Sequence, residues 1–169
     1  MVHTLKRNQE SIQGIIMPNT YHQLYIQTVF PVKYRRAQIH QDWKSDLQAV
    51  IGNLINDTGC KTLIVNGMKD HMHCFFGLKP SISISDVMKI AKAKSSKWIN
   101  DNGNTSTRFE WQKGYGCFSY SRSQVNGVYK YIKNQEKHHQ KRSFMEEYII
   151  MLEKFGVKYD RRYIFKELS

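Results

Sequence analysis

"KTLIVNGMKDHMHCFFGL", residues 61–78, decides how the chain folds. Asn66-Gly67 is the commonest turn dipeptide of a β-hairpin, and runs rich in Val, Ile and Phe flank it. Two strands are expected, near 61–66 and 70–77. Side chains alternate between the faces of a strand, so His71 and His73 point the same way while Met72 and Cys74 point oppositely. Two imidazoles so spaced can meet one metal ion, because neutral imidazole ligates transition metals and Mn²⁺ accepts mixed nitrogen and oxygen donors. Two ligands do not complete a site, however. Paired histidines on a sheet surface also serve as plain polar residues facing water.

Working outward, "YHQLYIQTVF" (21–30) is rich in β-formers and alternates in part, which predicts a strand. In "IHQDWKSDLQAVIGNLINDTG" (39–59) the steps between Trp43, Leu47, Val50, Ile51 and Leu54 mark one helical face, with Gly59 as its stop. "SISISDVMKIAKAKSSKWIN" (81–100) predicts a second helix, capped by Ser83 or Ser85 and burying Val87, Ile90, Ala91 and Trp98. "DNGNTST" is a loop, and "RFEWQKGYGCFSYS" (108–121) supplies one or two short strands or an extended segment. "SRSQVNGVYKYIKNQEKHHQ" (121–140) predicts one Ser-capped helix, and "RSFMEEYIIMLEKFG" (142–156) another, closed by Gly156. The order β-α-β-β-α-β is that of a ferredoxin-like, split βαβ fold. The expected class is α+β: an antiparallel sheet with helices on one face and an added C-terminal helical segment. Residues 1–16 predict an irregular extension and 17–169 a single domain, with Met17 an alternative start to Met1.

Charge narrows the partner. Across 169 residues, Lys and Arg number 26 against 14 Asp and Glu, a net +12 spread along the chain. Such a balance attracts polyanions, nucleic acid foremost, through a folded surface rather than a basic tail. Three scattered cysteines form no C-x-x-C pair and fit reduced thiols. No apolar run approaches the ~18 residues of a membrane span, and the N-terminus has no signal-peptide core, so a soluble cytoplasmic protein without membrane association is expected.

The helix over 121–140 carries two tyrosines. Val125, Val128, Tyr129 and Ile132 form an apolar stripe at about 100° per residue, which makes Tyr129 a packed core aromatic. Tyr131 lies roughly 110° from the centre of that stripe, on the side of Gln124, Gly127 and Gln135. If that side meets the face bearing His71 and His73, two imidazoles, an amide oxygen and a phenol converge. Phosphoryl transfer can be built from those parts, with a metal ion to polarise phosphate and a tyrosine to attack it. Read from the helix alone, Tyr131 is equally an ordinary surface tyrosine.

"DHMHCFF", "GYGCFSYSRSQ", "VYKYIKNQEKHH" and "FGVKYD", in that order and spacing, resemble the single-tyrosine HUH transposases of small bacterial insertion sequences (the 200/605 type) and their REP-associated relatives. The resemblance covers roughly residues 17–163. It implies that His71 and His73 hold Mg²⁺ or Mn²⁺, that Gln135 is the third ligand and that Tyr131 is the nucleophile. It implies cleavage and rejoining of hairpin-marked single-stranded DNA through a 5′-phosphotyrosine, in a bacterial cytoplasm and without a nucleotide cofactor. Many members are homodimers that exchange the tyrosine helix. The longer C-terminus here is instead a feature of some monomeric relatives.

Phosphate-contacting candidates are Lys33, Arg35 and Arg36 after the first strand and Lys89, Lys92 and Lys94 with Lys97 on the second helix; lysines so spaced are also a common solvated face. His138 and His139 follow Gln135 among many basic residues and read as phosphate-binding or structural, with metal contact the lesser alternative. Tyr34, Phe118 and Tyr120 are candidates for stacking on unpaired bases. Two other readings stand beside the transposase. One is a non-enzymatic or domesticated hairpin binder on the same fold, which needs the basic surface but not Tyr131. The other is an unrelated H-x-H metal hydrolase, against which the chain offers no further carboxylate–histidine cluster near 71–73.

Overall fold

In the computed structural model, which describes residues 21–166, the hairpin forms as β2 (Lys61–Gly67) and β3 (His71–Gly77). The expected 1–16 extension and the choice of start codon lie outside the described residues. β1 (Tyr25–Pro31) and β4 (Gly116–Tyr120) complete an antiparallel sheet in the order β2-β3-β1-β4. α1 (Gln41–Asp57) joins β1 to β2, and α2 (Ile84–Asp101) joins β3 to β4. This is the strand order of the split βαβ, ferredoxin-like sheet. Gly59 ends α1 at φ +88°, and the Ser83 hydroxyl caps α2 by accepting the Asp86 N–H at 3.1 Å.

The two-residue period of the central strands sorts the core into two layers. Ile26, Phe30, Met72, Cys74 and Phe76 point to one side, where they pack against Leu47, Ile51 and Ile55 of α1 and Val87, Met88 and Ala91 of α2. Val29, His71, His73 and Phe75 point to the other. There the C-terminal segment covers them with α3 (Val125–Lys133), α4 (Gln135–His139) and α5 (Phe144–Lys154). Val125, Val128 and Ile132 of α3 pack on Phe75; Phe144, Tyr148, Met151 and Leu152 of α5 pack on Val29 and Phe118. β3 is thus buried on both faces, which accounts for the unbroken run Cys74-Phe75-Phe76.

Residues 121–140 do not form the one helix that their periodicity predicts. The Asn66 side-chain amide on β2 donates to the carbonyls of Ile132 (2.9 Å) and Lys133 (3.2 Å). The Lys137 N–H, which a continuous helix would direct to the Lys133 carbonyl, bonds the Asn134 carbonyl instead at 3.1 Å. A sheet residue therefore ends α3 by taking its last carbonyls, and α4 restarts at a new angle. Tyr129 also departs from expectation. It is 39 % exposed, because the surface buried on Phe75 runs through Val125, Val128 and Ile132 and stops short of it. Among the described residues no helix is long and apolar enough to cross a membrane.

Two features of the C-terminal layer can be tested by stability. A Cβ at Gly116 would stand 2.6 Å from the Tyr148 ring and 2.8 Å from Val29, both buried. Gly116→Ala is expected to cost about 1–3 kcal/mol through overpacking. Ser143 and Glu146 form a reciprocal capping box at the start of α5. Ser143→Ala should cost about 1 kcal/mol. Urea unfolding followed by circular dichroism reads both, and a Gly116→Ala midpoint equal to that of the parent would show that α5 does not press on β4.

Candidate active site

β3 delivers His71 and His73 to the face beneath α3–α5, both fully buried. His71 Nδ1 sits 2.7 Å from Asp70 Oδ1. Burial, the largest influence, raises the Asp70 carboxyl, but the hydrogen bond to His71, the electrostatic pull of His71 and His139 and a backbone hydrogen bond together hold the group below its ordinary value. An ionised carboxylate only accepts, so Nδ1 donates to it and Nε2 points inward. His71 Nε2 faces Gln135 Oε1 at 3.2 Å and Glu147 Oε2 at 3.8 Å. The Gln135 amide is oriented by its nitrogen, which donates to Glu147 Oε1 at 3.2 Å. An imidazole nitrogen, an amide oxygen and a carboxyl group therefore converge.

His73 has the same construction one pleat along. As placed, the Gln27 side-chain nitrogen lies 2.9 Å from His73 Nδ1 and its oxygen accepts from the Tyr120 hydroxyl at 2.6 Å, which leaves the proton on His73 Nε2. Turning the Gln27 amide over keeps both contacts: its oxygen then accepts from His73 Nδ1–H and its nitrogen donates to Tyr120. His73 Nε2 is then a bare lone pair. It is buried, has no hydrogen-bond partner, and lies 3.6 Å from Glu147 Oε1. Burial, followed by the neighbouring His71 and His139, pushes His73 well below its ordinary range, so the ring is neutral. A neutral buried imidazole with one bare nitrogen, beside a carboxylate, is what a cation requires. His71, His73 and Glu147 offer ligand atoms within 4.8 Å of one another and could bind a divalent metal.

α3 brings Tyr131 to this cluster. Its hydroxyl donates to Glu147 Oε1, and its ring meets His73 edge-on with centroids 6.0 Å apart. His138, exposed, lies against the Tyr131 ring at 4.9 Å. His139 turns inward, with Nε2 3.1 Å from Gln135 Oε1 and 2.5 Å from Glu147 Oε2. Burial, then His71, pulls its pKa down to about 4, so it too is neutral. Phe144 stacks on His71 at 4.3 Å and closes the cluster on the α5 side.

Tyr131, His71, His73 and Gln135 thus come together, joined by His139. The basic candidates do not join them. α2 lies on the opposite sheet face, with Lys89 and Lys94 exposed and Lys97 paired to Asp101. Lys92 turns inward: its ammonium donates to the carbonyls of Gln112 (2.7 Å) and Gly114, and burial draws its pKa down to about 8. Lys33 pairs with Glu110 at 2.7 Å. Arg35 opens a 3₁₀ turn after β1, and Arg36, exposed, borders a cavity of about 330 Å³ with Tyr34, Thr107 and Arg108. Phe118 is a buried core residue rather than a stacking platform, and Tyr120 holds Gln27.

Three site members escape a reading of short motifs. Asp70 directly precedes the histidine pair, and Gln27 lies on the neighbouring strand. Glu147 had a visible signal. It occupies the apolar stripe of α5 between Phe144, Tyr148 and Met151, where a carboxylate on a buried face requires partners. Burial pushes it up to about 7, against the pull of His71.

Among curated proteins, none matches the chain. A candidate transposase from Deinococcus radiodurans R1 shares the fold with a TM-score of 0.55 at 19 % identity, over 69 % of this chain and 94 % of that one. A REP-associated tyrosine transposase, solved bound to a REP hairpin, aligns with a TM-score of 0.53 at 17 % identity, over 70 % of this chain and 71 % of that one. The family model described as "Transposase IS200 like" matches residues 20–135. That span runs from β1 through the histidine strand to Gln135, and the protein therefore belongs to the IS200-like transposase family.

Proposed function

We propose that this transposase cleaves and rejoins single-stranded DNA at hairpin-marked ends, using Tyr131 as nucleophile and Mg²⁺ or Mn²⁺ as cofactor. The observation that carries the reading is the meeting of Tyr131 with His71, His73 and Gln135 in one buried cluster. His71, His73 and Gln135 would hold the ion, which when bound neutralises and polarises a phosphate oxygen. Tyr131 attacks phosphorus; its oxygen–phosphorus bond forms as the bond to the 3′-oxygen breaks. The phenol loses one proton and the departing 3′-oxygen gains one. The 5′-phosphotyrosine then retains the bond energy for resealing by a second 3′-hydroxyl. Phe144 and the α3 layer limit the water that could intercept it. Residues 17–169 act as one domain in this reading. The hairpin in the similar REP-associated structure supports a hairpin substrate, drawn in by the net positive charge.

The test is covalent trapping with Mn²⁺ and labelled single strands carrying the hairpins that flank the gene. A denaturation-resistant adduct is expected. Tyr131→Phe should reduce it to background, and Tyr129→Phe should leave it within about twofold, since that side chain faces solvent and away from the metal cluster. Hairpin binding without any adduct would replace this reading with a non-enzymatic binder. Loss in Tyr129→Phe alone would reassign the nucleophile.

A further inference from the structure

We propose that Glu147 is a ligand of the same metal ion and that its second oxygen holds the Tyr131 hydroxyl, so that one side chain couples metal loading to nucleophile placement. This rests on the proposed metal-dependent reading. It goes beyond that reading because Glu147 lies after residue 135, where the family match ends.

Among the described residues, the carboxylate is the one group that touches every part of the cluster. Oε1 accepts from the Tyr131 hydroxyl and from Gln135, and stands 3.6 Å from the bare Nε2 of His73. Oε2 stands 3.8 Å from His71 Nε2 and 2.5 Å from His139 Nε2. The hydrogen bonds that reach Oε1 come from a neutral phenol and a neutral amide. His73 Nε2 is buried without a hydrogen-bond partner beside this carboxyl group, and His71 Nε2 faces the same space. A divalent cation among His71, His73 and Glu147 satisfies all three at once.

Delivery is by a rigid element. α5 is capped by Ser143 and anchored on Val29 and Phe118 through Phe144, Tyr148, Met151 and Leu152, which flank Glu147 along the same stripe. The carboxylate is therefore held in place by packing on both sides, as a ligand must be. Ion binding and α5 docking then stabilise each other, because a ligand that binds only the docked arrangement favours it.

Mn²⁺ binding to the full chain without DNA, by isothermal titration and electron paramagnetic resonance, tests this directly. Glu147→Gln should weaken Mn²⁺ roughly tenfold or more. Tyr131→Phe should weaken Mn²⁺ measurably but less than Glu147→Gln, because the phenol orients the carboxylate without touching the ion; an unchanged affinity in Tyr131→Phe would remove the coupling. Hydrogen exchange of the parent needs no variant: amides of 144–154 should slow when Mn²⁺ is added. Equal Mn²⁺ affinity in Glu147→Gln, or α5 exchange indifferent to Mn²⁺, overturns the proposal. If the parent still binds Mn²⁺ and forms the DNA adduct in that event, only the role of Glu147 falls. If the parent binds no Mn²⁺, both readings fall.

Discussion

Two imidazoles buried in the middle of a sheet constrain everything built over them. β3 places Met72, Cys74 and Phe76 in the α1–α2 core, and the pleat then forces His71 and His73 onto the other face. Had that face met water, the histidines would need nothing more. Covered by α3–α5, they need partners for four ring nitrogens. Asp70 and the Gln27–Tyr120 pair take the outward ones. The inward ones are aimed at Gln135 and Glu147. The polar cluster is thus a consequence of burial: an unsatisfied buried nitrogen is costly, and the residues that answer it are those that chemistry can use.

The C-terminal layer is shaped by the same need for partners. Asn66 pairs with His73 across the β2–β3 ladder and reaches past it to take the last carbonyls of α3. The break that results separates Tyr131 from Gln135, which one continuous helix would stack a turn apart, and α4 then carries Gln135 and His139 onto the cluster. The interruption of a helix is here a positioning device, set by one amide on a neighbouring strand.

The basic residues divide by where their charge can be used. Those of α2 lie across the sheet from the imidazoles, and Lys92 donates to two loop carbonyls, those of Gln112 and Gly114. Arg36 and Arg108 meet around the cavity beside Tyr34, near the end of β1. Pro31, the last residue of β1, pairs with His71, so this basic turn follows the strand end closest to the histidines.

Local rules written in neighbouring residues determined much of this protein. Asn66-Gly67 announced the hairpin, alternation put both histidines on one face, Ser83 and Gly59 bounded helices, and the displacement of Tyr131 from the apolar stripe marked it as available. Each depends on a two-residue or 3.6-residue period and is legible within one element. Tertiary structure alone decided that α3–α5 fold over the histidine face, that Asn66 divides the tyrosine helix, that Tyr129 stays outside the core, and that Lys92 turns inward. Glu147 belongs to both classes. Its place on a buried stripe was visible in the chain, but its partners come from three other elements, and long-range packing is what brings those together.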